Sequence, residues 1–383
     1  MTNDIPAKLL DKPVSRASWR PVLFRPSVPA EQQALRILAK SDQIREVHDT
    51  LDEQLEELVR SRAPGRAFVA ADMEGAKEQV LDGVVPWHYG TWVWYPWSGR
   101  LIHVLPREEF RLVRTDRNRG KIDRPEQTRL LQRRIGIIGL SVGNSAAVTL
   151  ALEGIGGAFK LADFDTLGLS NLNRLRAGVH DLGVNKTVIA ARQMFEIDPY
   201  LDIEIYPSGL TDDTMEEFFT GGGVSGPIDL LVEESDTPYV KVASREYARA
   251  CGVPVLMDAN DRGMLDIERF DLEPNRPVLH GLLGQLTSSD LREPTFEEKV
   301  SHILAILDEQ QISPELATSL DQIGHTLSSW PQLASGVALG GAITADAARR
   351  ILLGTHRESG RYYVDLAALI ADGQGNLTNP CRA

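Results

Sequence analysis

Ile135-Gly136-Ile137-Ile138-Gly139-Leu140-Ser141-Val142-Gly143-Asn144-Ser145, followed by Leu161-Ala162-Asp163-Phe164-Asp165, decides the fold. The first apolar run is too short for a helix. It ends in a glycine and small residues that open an amphipathic stretch reaching about Glu153, which reads as strand, tight turn and helix. A second apolar run, Phe159 to Asp163, is the next strand. Outward from there the alternation continues: helix Lys186 to Ile197, strand Ile203 to Pro207, short helix Thr211 to Phe219, strand Ile228 to Val232, helix Val240 to Cys251 and strand Val253 to Met257. Strict strand–helix alternation predicts an α/β, Rossmann-like, doubly wound and mostly parallel sheet with helices on both faces. Ligands of such sheets bind beyond the carboxyl ends of the strands.

The residues at that end have nucleotide chemistry. Gly139 permits the sharp exit from the strand. Ser141, Gly143 and the following small residues let phosphate approach the amides at a helix N-terminus. Ser141 and Asn144 stand where a GxGxxG turn has its second and third glycines, so the turn alone specifies no particular nucleotide. Asp163 is an acid after the second strand, as ribose hydroxyls require. Ser170-Asn171-Leu172-Asn173-Arg174 then adds an amide and a guanidinium. A nicotinamide or flavin oxidoreductase uses the acid but has no use for the other two, whereas a triphosphate does.

Flanking regions are less specific. The spacing of Leu35, Leu38, Ile44, Val47, Leu51, Leu55 and Leu58 predicts one helix over about 29–62, closed by Pro64-Gly65. Thr91 to Tyr95 and Leu101 to Leu105 predict a hairpin around Pro96-Trp97-Ser98-Gly99. Its aromatics, Trp92 and Trp94 with Trp87 and Trp97, read as core or subunit interface. These elements make an N-terminal accessory α+β region, 1–112, ahead of the main domain, 113–383. The stretch from Asp266 through Leu291 reads as irregular. Helices follow over Thr295 to Leu307 and near Leu333 to Leu352.

A formal net charge of −13 argues against nucleic acid or an anionic membrane as the main partner. The basic stretch Arg111 to Arg134 reads either as a solvated connector or as an approach to phosphate. Cys251 and Cys381 are far apart and outside any CxxC spacing, so no zinc site is expected. Cysteine poverty and an N-terminus without a signal-peptide pattern place the expectation in the cytoplasm.

From about Arg114 to Leu353 the chain resembles the E1-like adenylating enzymes, including ThiF, MoeB and HesA proteins and the catalytic half of ubiquitin-activating enzymes. The resemblance rests on Leu161 to Asp165, Ser170 to Arg174, Gly183-Val184-Asn185-Lys186, Ile197-Asp198-Pro199 and Glu233-Glu234-Ser235-Asp236-Thr237, in that order. It extends to actinobacterial MoeY-type E1-like domains found fused to nitroreductase domains. No flavin domain of that kind is evident in these residues.

The resemblance implies ATP and Mg2+ as cofactors. Gly139, Ser141, Gly143, Asp163 and Asp165 would form the nucleotide cradle, with Asp163 on the ribose. Asn171, Arg174 and Lys186 would hold the phosphates, and Asp236 would hold the metal. It also implies a homodimer in which an N-terminal arginine reaches the neighbouring site. Arg117 has the right spacing; Arg114, Arg119 and Arg124 are rivals. The implied reaction is adenylation of a substrate carboxylate, from a ubiquitin-like carrier, a peptide or a small acid.

The crossover segment after the strand Val253 to Met257 has no cysteine. Cys251 reads as a buried small residue of the preceding helix, so no self-thioester is expected. Two other readings stay open from the residues. One is a catalytically degenerate nucleotide-binding scaffold or partner of a nitroreductase-like enzyme, suggested by Ser141 and Asn144 in the turn and by the extra charge of Glu233 and Glu234 beside Asp236. The other is a NAD- or FAD-dependent oxidoreductase.

Overall fold

The computed structural model describes residues 17–371 apart from 224, 293–294 and 321, so Cys381 lies outside the described residues. They group into two compact units, one of residues up to 128 with 191–201, the other of 129–190 with 202 onward.

The first unit contains β1 (Val22–Phe24), α1 (Pro29–Ala39), β2 (Glu46–Asp49), α2 (Leu51–Arg62), α3 (Ala70–Leu81), β3 (Thr91–Tyr95), β4 (Arg100–Val104) and α4 (Arg107–Arg114). Its sheet runs β1-β3-β4-β2. The hairpin forms with Thr91 opposite Val104. The single helix expected over 29–62 does not form. The Ser41 hydroxyl donates to Leu38 O at 2.7 Å as α1 ends, and the Arg45 N–H donates to Gly99 O at 2.8 Å. Residues 46–49 thereby enter the sheet parallel to β4. Val47, which fits the helical spacing, is instead 58% exposed. Trp92 and Trp94 pack with Phe24, Leu35 and Leu101 in the core, whereas Trp87 is exposed. Asp198 is fully buried and accepts from Arg111 Nε at 2.9 Å, which gives the Ile197-Asp198-Pro199 stretch a packing role within this unit.

The element α5 (Arg124–Leu131) leads into β5 (Arg134–Ile138), α6 (Gly143–Glu153), β6 (Ala158–Ala162), α7 (Lys186–Ile197), β7 (Asp202–Tyr206), α8 (Asp212–Thr220), β8 (Leu230–Glu233), α9 (Pro238–Cys251), β9 (Val255–Asp258) and β10 (Met264–Glu268). After them come α10 (Phe296–Leu307), α11 (Pro314–Leu320), α12 (Ala334–Leu352) and β11 (Gly360–Tyr363). The seven-stranded sheet has the order β11-β10-β9-β8-β5-β6-β7. Its five strands from β9 to β7 are parallel. The reversal of strand order falls between β5 and β8, where an open sheet leaves a crevice at the carboxyl ends. The alternating architecture expected from the sequence is therefore present.

Two antiparallel strands extend this sheet beyond the expected pattern. β10 pairs with β9, and β11 with β10. Every residue of β10 is buried, Asp266 and Glu268 included, and acids are depleted in strands, so the run does not read as one. Phe218, Phe219, Leu231, Val255 and Phe270 form much of the core. The helix α12 lies close on α6, because a Cβ at Gly341 would stand 2.3 Å from Ser145 Oγ. Filling that contact costs about 1–3 kcal/mol through overpacking.

Candidate functional site

The glycine turn after β5 is shaped by a close approach. Gly139 has φ 82°, and a Cβ there would lie 2.5 Å from Glu234 O, so the backbone tolerates no side chain at that point. The next amide, Leu140 N–H, donates to Asp163 Oδ2 at 2.6 Å, and Asp165 N–H donates to Asp163 Oδ1 at 2.8 Å. Lys186 Nζ sits 2.6 Å from Asp165 Oδ2 and 3.9 Å from Asp163 Oδ2.

Local chemistry sets the lysine's position. The Asn185 carboxamide oxygen accepts from Thr187 N–H at 2.9 Å, capping the start of α7. Lys186 N–H donates to Asp165 O at 2.9 Å. The lysine is 4% exposed and Asp163 8%. Burial pushes the Asp163 carboxyl above its ordinary value, against the pull of Lys186 and the two backbone amides. The sequence-predicted Gly139, Asp163, Asp165 and Lys186 are thus brought together. Ser141 Oγ is buried without a hydrogen-bond partner among the described residues, an orphaned polar atom at the mouth of α6 that a phosphate oxygen would satisfy. Gly143 begins α6, with Glu234 Cγ 3.4 Å from where its Cβ would be.

Asn171 lies within a 3₁₀ turn, Leu169–Asn173, and Arg174 directly follows it. Asn171 Oδ1 accepts from Gly168 N–H at 2.9 Å. Arg174 Nη1 donates to Asn173 Oδ1 at 2.9 Å, while its Nε is buried without a partner. Burial lowers the guanidinium from its ordinary value. Among the described residues this cation has no carboxylate partner, a state that an anionic ligand would relieve. Asp236 lies past the end of β8. Its side chain is 75% exposed, and Lys299 Nζ stands 3.7 Å away.

The two glutamates before Asp236 are opposite cases. Burial alone would raise the Glu233 carboxyl, but Lys241 and Arg245 outweigh it and hold it below its ordinary value. Glu233 is therefore ionised and already neutralised by two cations. Glu234 Oε1 accepts from Asp258 N–H at 2.8 Å. Burial, reinforced by the charge of Asp258, pushes Glu234 well above the carboxylate range. Asp258 is itself pushed up to about 7 by burial, against the opposing Asn260 amide. Like charges so placed share protons and do not both ionise. The extra negative charge expected beside Asp236 is thus compensated at Glu233 and suppressed at Glu234. Lys241, Arg245 and Asp258 escaped the sequence reading because each looks like an ordinary helix-surface or strand-end residue until the fold buries it.

Arg117 lies in the 3₁₀ turn Asp116–Asn118 of the first unit and is exposed. Its rivals are engaged there: Arg114 with Asp198 at 3.6 Å, and Arg119 and Arg124 with Asp116 at 2.9 and 3.2 Å.

With this geometry in view, comparison with known proteins places the chain. Residues 115–363, well over half of its length, match the ThiF family. The chain belongs to the ThiF family. An uncharacterized protein of Mycobacterium tuberculosis (strain CDC 1551 / Oshkosh), MT1398, is 46% identical over 279 residues, which are 73% of this chain and 38% of that protein. The molybdopterin-synthase adenylyltransferase of Haemophilus influenzae is 27% identical over 164 residues, 42% of this chain and 64% of that enzyme. This ThiF-family chain therefore spans less than two thirds of these relatives' lengths. Among solved structures, Escherichia coli tRNA N6-threonylcarbamoyladenosine dehydratase, TcdA, in complex with ATP aligns with a TM-score of 0.43 at 16% identity, over 63% of this chain and 94% of that one.

Elsewhere in the ThiF-family domain, Cys251 corrects an expectation. It is exposed, not buried, because it is the last residue of α9 before the Gly252 cap. It lines a cavity of about 580 Å³ with Arg133, Phe219, Asp229, Val253 and Pro254. Arg133, Asp229 and Val253 precede their strands, so this cavity opens at the amino ends of the sheet, away from the glycine turn. Among the described residues no helix is long and apolar enough to cross a membrane.

Proposed function

We propose that this ThiF-family chain catalyses ATP- and Mg2+-dependent adenylation of a substrate carboxylate. The observation that carries the reading is the buried Asp163–Lys186 pair, with the half-exposed Asp165 on its lysine and the glycine turn on its acid, at the reversal of strand order. A dinucleotide site calls for the acid alone; the lysine beside it and the Arg174 guanidinium, whose buried Nε has no partner among the described residues, suit a triphosphate. The adenylyltransferase name of the Haemophilus relative supports the same class.

In this reaction a carboxylate oxygen of the substrate attacks the α-phosphorus of ATP. A P–O–C anhydride bond forms, the bond from the α-phosphorus to the bridging oxygen breaks, and pyrophosphate leaves. Asp163 accepts the ribose hydroxyls. Lys186 and Arg174 draw charge from the phosphates as the leaving group departs. The Leu140 to Gly143 backbone and Ser141 Oγ line the phosphate path. No group of three or more His, Cys, Asp or Glu side chains among the described residues is arranged to hold a metal. Mg2+ commonly takes one or two carboxylates plus substrate phosphates, and the exposed Asp236 fits that demand. Held there with ATP, it would neutralise phosphate charge.

The acyl adenylate passes to a separate nucleophile, since the crossover segment has no cysteine. Carrier, peptide and small-acid substrates, and a nitroreductase-like partner, are proposals of the same standing. So is a homodimer that brings the exposed Arg117 to its neighbour's site; a strict monomer with full activity in equilibrium sedimentation excludes it.

Exchange of radiolabelled pyrophosphate into ATP, run with candidate carboxylates, tests the proposal. Carboxylate-dependent exchange is expected, lost in Asp236→Ala and Arg174→Ala. Tight NADH binding without ATP binding would overturn it.

A further inference from the structure

A chain of buried bonds leaves the loop that carries Asp236 and ends far along the sequence. Ser235 N–H donates to Glu233 Oε1 at 2.7 Å. The other Glu233 oxygen takes Lys241 Nζ at 2.9 Å and also Arg245 Nη1. Arg245 Nε donates to Glu268 Oε2 at 2.5 Å, and Glu268 Oε1 accepts from Leu279 N–H at 2.6 Å. Glu233, Arg245, Glu268 and Leu279 are all 0% exposed.

The far end is strained. Leu279 and His280 have φ of 51° and 56°, in the left-handed region that side chains disfavour. Strained conformations persist only where their surroundings over-determine them. Here Glu268 holds the amide of the first strained residue.

The near end explains what the chain is for. Asp236 projects into solvent, and the Lys299 ammonium at 3.7 Å is too long and too mobile a partner to place it. Where its carboxylate stands is set by the backbone through Ser235, and the Ser235 amide is gripped by Glu233. A planar guanidinium bonded to both Glu233 and Glu268 fixes the two carboxylates relative to one another, which a single-point ammonium such as Lys241 does not do. Resting on the reading of Asp236 as the metal carboxylate, we infer that Arg245 is a positioning residue for metal–nucleotide binding: through Glu233 it sets the place of the Asp236 loop, with Glu268 and the strained Leu279 turn as its anchor.

A buried ion pair that only stabilises the fold would weaken ATP binding equally with and without metal. A positioning residue acts on the metal-dependent part. The measurement is therefore the ATP dissociation constant by calorimetry in Mg2+ and in EDTA, for wild type, Asp236→Ala, Arg245→Met and Glu268→Gln, with circular dichroism confirming folding.

Wild type should bind more tightly in Mg2+, and Asp236→Ala should lose that gain. Arg245→Met should lose about tenfold of the Mg2+ enhancement, as outer partners of metal ligands typically do. Its affinity in EDTA should stay within about twofold of wild type. Glu268→Gln keeps the volume and the acceptor for Leu279 N–H while losing the charge, and should lose about threefold in the same direction. It decides the question if Arg245→Met fails to fold. Either folded variant keeping the full wild-type enhancement overturns the inference while leaving the adenylation reading intact. A wild-type protein that binds no ATP in either condition overturns that reading, and this inference with it.

Discussion

The Asp163 end of the site and the Asp236 end are built on opposite principles. At the first, acid, lysine and backbone amides are buried and already bonded to one another. At the second, the acid is exposed and nearly bare, and the order lies behind it in the Glu233–Arg245–Glu268 chain. With the roles proposed for them, the difference teaches that an acid meant for a neutral hydroxyl is held in place by its own bonds, whereas one meant for a strongly hydrated cation stays open and is positioned indirectly.

The largest effect should come from breaking the preformed end. Asp163→Ala releases the Leu140 and Asp165 amides and leaves Lys186 to Asp165 alone, so ATP affinity should fall about 100-fold or more, in Mg2+ and in EDTA alike, as loss of a buried charge-assisted contact implies. Calorimetry in both conditions checks this. Metal-selective loss in Asp163→Ala would erase the contrast between the two ends.

A smaller effect separates the ionised from the proton-sharing acids behind the second end. Asp258, pushed up to about 7 by burial, keeps its proton in the folded chain at pH values where the unfolded chain has lost it. Folding stability should therefore be greatest at low pH within this window and fall as pH rises from about 4 through 7. Asp258→Asn removes the titrating group and should flatten the profile, leaving the variant about 2 kcal/mol more stable than wild type at pH 8, discounted because Glu234 shares the proton. Urea unfolding at a series of pH values measures it; parallel profiles in the two proteins would show that the pair does not hold a proton.

The smallest effect is expected away from both ends. Cys251→Ser, at the exposed end of α9, should change stability by no more than about 0.5 kcal/mol. It should leave pyrophosphate exchange unaltered. A variant that keeps exchange but loses acyl transfer from the adenylate to its acceptor would reopen a thiol step.

The central alternation was legible because parallel strands covered on both faces write short apolar runs between helical periods. Lys186 to Ile197 is a helix with the expected ends for that reason. The 29–62 stretch misled because helical spacing also arises when a strand is inserted between two helices, and only pairing with β4 exposes Val47. The antiparallel β10 was hidden by its buried acids, Asp266 and Glu268, and β11 by its shortness, four partly exposed residues. At the site, the residue types and their order were readable from Gly139 to Asp236. The protonation of Glu234 and the neutralisation of Glu233 were not.

By itself, then, the sequence determined which chemistry could be assembled: a glycine at the exit of a strand, acids after two strands, a lysine opening a helix. These are local demands of backbone geometry and element period, carried by neighbours in the chain. Only the tertiary structure decided which acids are charged, because that depends on burial and on partners such as Lys241, Arg245 and Asp258, which come from other elements. Electrostatic free energy is set by distance and dielectric, and neither is written in sequence order.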